Sequence, residues 1–268
     1  MREAVRVRRV NGREHWVRRV AMVAVAGWCA ACSGSVPENA PGGTAGTASG
    51  TAASVAATPA TSDTTTSVPR SGNDSTVAAA PVVLIAGTSL TAGLGLDPAE
   101  AYPAVLQRMA DSAGYRARIV NAGLSGETSA GLRRRIDWLL REPAGAVVIE
   151  TGANDGLRGV DPDSTRENLL AIVRTVQAAL PGAPVLVVQM EAPPNLGVAY
   201  TTRFRALFPE VARRTGATLV PFLLEGVAGE RGLNQGDGIH PNAEGAVRAA
   251  GNLWPSLAPV LERLDDRA

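Results

Sequence analysis

Four short segments of the chain hold residue types that can do chemistry, and three of them follow an apolar run. Gly87-Thr88-Ser89-Leu90-Thr91-Ala92-Gly93 comes after Val82-Val83-Leu84-Ile85-Ala86, so Ser89 stands two residues past the run in a glycine-flanked turn. A serine so placed can act as a nucleophile, bind a phosphate or cap a helix; taken alone, this segment favours capping or turn use. A G-x-S-x-G elbow is absent, because position 91 is Thr. Asn121-Ala122-Gly123-Leu124-Ser125-Gly126-Glu127-Thr128-Ser129 carries two glycines that let backbone approach a ligand, and N–H groups at such a turn can face an oxyanion. An ordinary glycine loop with Thr128 or Ser129 capping the next helix fits it equally. Thr151-Gly152-Ala153-Asn154-Asp155-Gly156 offers the Asn154 amide, a neutral donor suited to an oxyanion, although Asn-Asp-Gly is also good turn chemistry. Near the end stands Asp237-Gly238-Ile239-His240-Pro241. A short loop can fold the Asp237 carboxylate onto one ring nitrogen of His240 and leave the other free, as a general base requires. A helix-capping histidine beside a turn aspartate is the plainer alternative.

Composition removes several other chemistries. The 268 residues carry 26 basic and 25 acidic side chains, a net charge of +1, and every basic residue is Arg. A nucleic-acid binder needs a surplus of positive charge that is missing here, so no nucleic-acid partner is expected. The two cysteines, Cys29 and Cys32, lie near the N-terminus, which excludes a disulfide framework, a Cys-ligated zinc and a Cys nucleophile from the rest of the chain. His15 and His240 are the only histidines, so a multi-histidine metal site is excluded as well. No metal or organic cofactor is expected.

Residues 1–32 read as an export signal. Seven arginines fall within the first 19 residues and precede an apolar stretch of twelve residues, Val20 to Ala31, too short to span a bilayer. The end of the stretch, Cys29-Ala30-Ala31-Cys32, resembles the lipobox of bacterial lipoproteins, in which the cysteine is lipidated; Cys29 stands where Leu is usual. That resemblance implies a lipid on Cys32, attachment to a membrane and a place in the cell envelope. An ordinary signal cleaved nearby would give a periplasmic or secreted protein instead. Residues 33–80 are Ala, Thr, Ser, Gly and Pro with four charges and no Leu, Ile, Met or aromatic residue. Such a tract cannot bury enough apolar surface to offset its ordering entropy and reads as a disordered tether, spanning roughly 40 Å as a random coil.

The elements that must position the chemistry-bearing segments begin at Pro81. Strands are expected at Val82–Ala86, Arg118–Asn121, Ala146–Glu150, Pro184–Met190 and Thr218–Val220. Between them, helices are expected from an Asp97 cap to about Ser112, Ser129 to Arg141, Asp161-Pro162 to Pro181, and Tyr200 to Thr215. A last helix runs from Pro241 to Leu264, bent near Gly251 and Pro255. Strands alternating with helices mean βαβ units and a mainly parallel five-stranded sheet in a three-layer α/β/α sandwich. Ligands of such sheets bind beyond the carboxyl ends of the strands, where the first three chemical segments lie.

Gly87-Thr88-Ser89-Leu90, Gly126, Gly152-Ala153-Asn154-Asp155 and Asp237-Gly238-Ile239-His240 together resemble the four sequence blocks of the SGNH (GDSL) hydrolase superfamily. Gly152 to Gly159, Ser125 to Ser129 and Asp237 to Asn242 are similar to the bacterial thioesterase I and arylesterase branch. The resemblance covers about residues 82–262 and implies a flavodoxin-like SGNH hydrolase fold over residues 81–268. It implies Ser89 as nucleophile, His240 as base and Asp237 as the residue that orients it. It also implies an oxyanion hole made of the Ser89 and Gly126 N–H groups and the Asn154 side chain. One position departs from the pattern: the family usually has Asp before the serine, and here it is Thr88.

By this resemblance the protein is a serine esterase acting on carboxylic esters or thioesters through an acyl-enzyme. Short- to medium-chain esters or lysophospholipids are the expected small-molecule substrates, with no obligate protein partner. Leu157, Leu196, Val198 and Phe222 are candidates for the acyl slot, or are ordinary packing. Two rivals stand beside this reading: a carbohydrate O-deacetylase on the same fold, against which the lack of a sugar-stacking aromatic near the blocks weighs, and a surface-tethered binding module without catalysis.

Overall fold

The computed structural model describes residues 80–266. The expected export signal with Cys32, and residues 33–79 of the expected tether, lie outside the described residues.

Five strands form one sheet: β1 (Val82–Gly87), β2 (Arg118–Gly123), β3 (Ala146–Ile149), β4 (Val185–Val188) and β5 (Thr218–Val220). All are parallel, in the order β2-β1-β3-β4-β5, the flavodoxin-like arrangement. Every residue of β3 and β4 is buried, which is why Ala-Val-Val-Ile and Val-Leu-Val-Val read as unbroken apolar runs instead of alternating ones. The edge strand β2 tolerates Arg118 and Asn121 at exposed positions.

Seven helices accompany the sheet among the described residues: α1 (Ser89–Ala92), α2 (Tyr102–Ser112), α3 (Ser129–Leu139), α4 (Ala153–Leu157), α5 (Pro162–Ala179), α6 (Val198–Thr215) and α7 (Ala243–Asp265). α2 packs with α7 in one layer, and α3, α5 and α6 pack side by side in the other. Leu132, Ile136, Leu169, Val173, Phe204, Phe208, Leu253 and Leu257 are fully or almost fully buried from these helices. Phe204 and Phe208 meet edge-on, with ring centroids 5.6 Å apart.

The structure corrects two local expectations. The helix expected from the Asp97 cap begins at Tyr102, because Asp97 closes a turn: its Oδ1 accepts from Ala99 N–H at 2.8 Å and its carbonyl from Glu100 N–H at 2.8 Å. The side chain thus satisfies the backbone in a turn, as aspartate readily does. The second concerns the loops after β1 and β3, each of which contains a short helix, α1 and α4. Those two helices hold Ser89 and Asn154.

Register brings the strand ends level. Gly87 of β1 pairs with Gly123 of β2, and Ala86 pairs with Ile149 of β3. Gly87, Gly123 and Glu150 therefore open three loops side by side at the carboxyl edge. The fourth segment arrives from beyond β5: Asn234 bridges to Pro241, and Asn242 caps α7 by accepting from Gly245 N–H at 2.9 Å.

Candidate active site

Ser89 is the first residue of α1, and nearly buried. Its Oγ lies 3.0 Å from His240 Nε2, although 151 residues separate the two. His240 Nδ1 lies 2.6 Å from Asp237 Oδ2. The other carboxylate oxygen, Oδ1, accepts from the backbone N–H groups of Ile239 (2.9 Å) and His240 (3.0 Å). The hydrogen bond from the His240 ring, then those two backbone donors, lower the Asp237 pKa to about 2. An ionised Asp237 requires the proton on Nδ1, which leaves Nε2 as the acceptor facing the Ser89 hydroxyl.

Three candidate donors stand in the loops at this edge of the sheet. Ser89 N–H opens α1 and so has no intrahelical acceptor. Gly126 N–H finds no acceptor among the described residues. Gly126 has φ +77°, a conformation that glycine adopts without strain. Arg158 Nη2 donates to its carbonyl at 3.0 Å. Asn154 Nδ2 donates to the Glu127 carbonyl at 3.1 Å, which spends one of its two N–H groups and leaves the other for a ligand.

The two loops that supply these donors are tied together. Asp155, buried beside Asn154, accepts from Ser129 N–H (2.8 Å), Ser129 Oγ (2.5 Å) and Thr165 Oγ1 (3.3 Å). Its carboxylate thereby joins the start of α3 to α4 and α5. Glu127 is held bidentately by Arg135, at 2.9 and 2.6 Å. Thr128, one of the two alternatives for a cap, is the cap of α3 and accepts from Gly131 N–H at 3.3 Å.

Behind the serine lies a group that sequence reading placed only at a strand end. Glu150 is fully buried, and no Arg pairs with it among the described residues. It accepts from Thr88 N–H (2.9 Å), Thr88 Oγ1 (3.0 Å) and Thr91 Oγ1 (2.8 Å). Tyr102 Oη donates to Thr91 Oγ1 at 2.7 Å, extending the chain of hydroxyls. Burial raises the Glu150 pKa to about 7, against the lowering effect of those hydrogen bonds. The carboxyl also needs Gly87: a Cβ there would collide with Thr91 Oγ1 and lie 2.7 Å from Glu150 Oε2. A charged residue ending the buried run Ala146–Ile149 was the available signal for Glu150.

The residues expected to bind substrate are dispersed. Leu157 is exposed beside Asn154, and Leu196 is half-buried in a short turn whose side chain approaches Gly159. Val198 is exposed at the start of α6, and Phe222 is half-buried against the core. An apolar crevice of about 10 Å³, lined by Ser89, Leu94, Leu96, Tyr102, Leu224 and His240, opens beside the reactive pair. Leu94, Leu124 and Ile239, which the sequence did not single out, are about half exposed. With Leu157 they give each of the four site loops one exposed large apolar side chain.

Serine, histidine and aspartate in hydrogen-bond series at the carboxyl edge of a parallel sheet are the architecture of a serine hydrolase that works by acyl transfer. The GDSL-like lipase/acylhydrolase family matches residues 85–248, and the chain belongs to that family. Esterase TesA of Pseudomonas aeruginosa is 44% identical over 185 residues, 69% of this chain and 91% of that protein. Thioesterase 1/protease 1/lysophospholipase L1 of Escherichia coli strain K12 is 37% identical over 185 residues, 69% and 86% of the two chains. The crystal structure of the psychrotrophic esterase EstA from Pseudoalteromonas sp., inhibited by monoethylphosphonate, superposes with a TM-score of 0.64 at 35% identity. That match covers 68% of this chain and 98% of the other. The protein is an ester-hydrolysing enzyme of the SGNH type, with the expected flavodoxin-like fold.

Proposed function

We propose that Ser89 is the nucleophile, His240 the general base and acid, and Asp237 the group that orients His240. The observation that carries this is the series Ser89 Oγ to His240 Nε2 at 3.0 Å and His240 Nδ1 to Asp237 at 2.6 Å. Ser89 Oγ attacks the ester carbonyl as His240 Nε2 takes its proton. The N–H groups of Ser89 and Gly126 and the Asn154 amide receive the charge that develops on the carbonyl oxygen. His240 returns the proton to the departing alcohol or thiol, which leaves the acyl group on Ser89. Water, deprotonated by the same nitrogen, releases the acid.

The substrates of this reading are acyl or aryl esters, lysophospholipids among them, with short to medium acyl chains. The apolar side chains of Leu94, Leu124, Leu157 and Ile239 at the rim favour a hydrocarbon partner. Relatives named esterase and thioesterase/lysophospholipase support the same class. For the N-terminus, the proposal is lipidation at Cys32 and attachment to the cell envelope, supported by the small residues before that cysteine.

Purified Ser89→Ala and His240→Ala should retain the fold by circular dichroism and lose turnover of p-nitrophenyl esters by more than about a thousandfold. A fluorophosphonate should label the wild type and not Ser89→Ala. Near-wild-type hydrolysis by either variant would remove the assignment.

A further inference from the structure

We propose that Glu150 and Thr88 form one positioning unit for the nucleophile: the buried carboxylate fixes Thr88 at both its N–H and its hydroxyl, and so aims the Ser89 Oγ and N–H. This rests on Ser89 being the attacking group.

The geometry argues it directly. Thr88 immediately precedes Ser89 and caps α1. Two contacts pin it from below, one through the backbone N–H at 2.9 Å and one through Oγ1 at 3.0 Å. With those two contacts holding Thr88, and its carbonyl accepting from Ala92 N–H at 2.9 Å, the peptide that carries Ser89 N–H has a fixed plane. Two residues past the serine, Thr91 is tied to the same carboxyl at 2.8 Å. Glu150 thus clamps α1 on both sides of Ser89. The helix has only four residues, too few to hold its own orientation by internal hydrogen bonds.

The arrangement also explains why threonine works at a position where the family usually has aspartate. A hydroxyl donates to the carboxylate; an aspartate would set a second negative charge against it, and the pair would have to retain a proton. Thr88, Thr91 and the Thr88 backbone all donate, so the set is complementary to the charged form of Glu150. Among the groups around it, Tyr102 from α2 is the titratable one that reaches this network, through Thr91, and burial together with Glu150 pushes its pKa up. His240, with Asp237, meets the opposite side of Ser89. Since the Glu150 pKa stands at about 7, the clamp weakens as pH falls through neutrality.

The test compares wild type with Thr88→Val, Thr88→Ser, Glu150→Gln and the double variant Thr88→Val/Glu150→Gln, in ester hydrolysis across pH. Thr88→Val and Glu150→Gln should each lower kcat by about 10- to 100-fold with KM within about twofold, the size expected of a misaimed reactive group. Thr88→Ser should restore most of the activity. The double variant should lose no more than the worse single one, because the two act as a unit. In wild type, kcat should fall as pH drops through about 7, where Glu150 takes up its proton; in Glu150→Gln that fall should be absent. Wild-type kcat in Thr88→Val, additive losses, or an unchanged acid limb in Glu150→Gln overturns the proposal. Should Glu150→Gln not fold, the Thr88→Val and Thr88→Ser pair decides alone. Ser89→Ala, measured alongside, separates the two failures. Residual turnover there sinks the assignment of the nucleophile. Its loss, with Thr88→Val at wild-type rate, sinks only the clamp.

Discussion

Burying the Glu150 carboxyl makes the folded protein hold its proton more tightly than the unfolded chain does. The pKa rises from an ordinary 4.5 to about 7, so the contribution to stability is complete below 4.5 and is lost as pH rises through 7. Glu150→Gln cannot ionise. Its stability relative to wild type should therefore increase by about 3 kcal/mol between about pH 4.5 and about pH 8, as read from urea midpoints. A pH-independent difference would show that folding leaves the carboxyl at its ordinary pKa. Asp237 behaves in the opposite sense: its pKa is depressed to about 2, so its contribution is present above the ordinary 3.8 and disappears only as pH falls through 2. Asp237 therefore stays ionised in mild acid, where Glu150 takes up its proton. Ser89, Asn154, Asp237 and His240 were singled out in the sequence by their resemblance to the family's blocks. Glu150 was not, since a glutamate at the end of a strand usually turns to solvent, and only the packed loop shows that it turns inward.

Short elements carry Ser89 and Asn154, and their ties to longer ones hold them in place. α4 has five residues and presents Asn154, while Asp155 next door satisfies the start of α3 through Ser129. Removing that carboxylate leaves a buried N–H and a buried hydroxyl short of an acceptor, each costing about 1–3 kcal/mol. Asp155→Ala should lower stability by about 2–6 kcal/mol and reduce kcat more than it raises KM, because it loosens the spacing of Gly126 and Asn154. Denaturant unfolding with steady-state kinetics checks both; a variant as active and as stable as wild type would contradict this account. Helix limits were legible where proline and a cap coincide, as at Asp161-Pro162. The Asp97 signal misled because one aspartate can close a turn as readily as it opens a helix, and its neighbours decide which.

At the scale of the whole molecule, the family match covers residues 85–248, within the α/β/α domain. If Cys32 carries a lipid, Cys32→Ser should move the protein from the membrane to the soluble fraction and leave kcat on soluble esters unchanged. An identical distribution on fractionation would end the anchor proposal. The sequence by itself determined the parallel sheet, since unbroken apolar runs separated by helical periodicity have few other ways to bury themselves. It also determined the reaction class, since the pattern of four blocks names the chemistry. Only the tertiary structure decided how Ser89 and His240 meet: a contact of 3.0 Å between residues 151 apart depends on register and packing summed over the intervening chain. The same holds for the buried carboxylate under Thr88, whose partners come from the cap and body of α1 beyond a different strand and whose charge is set by the solvent that folding excludes.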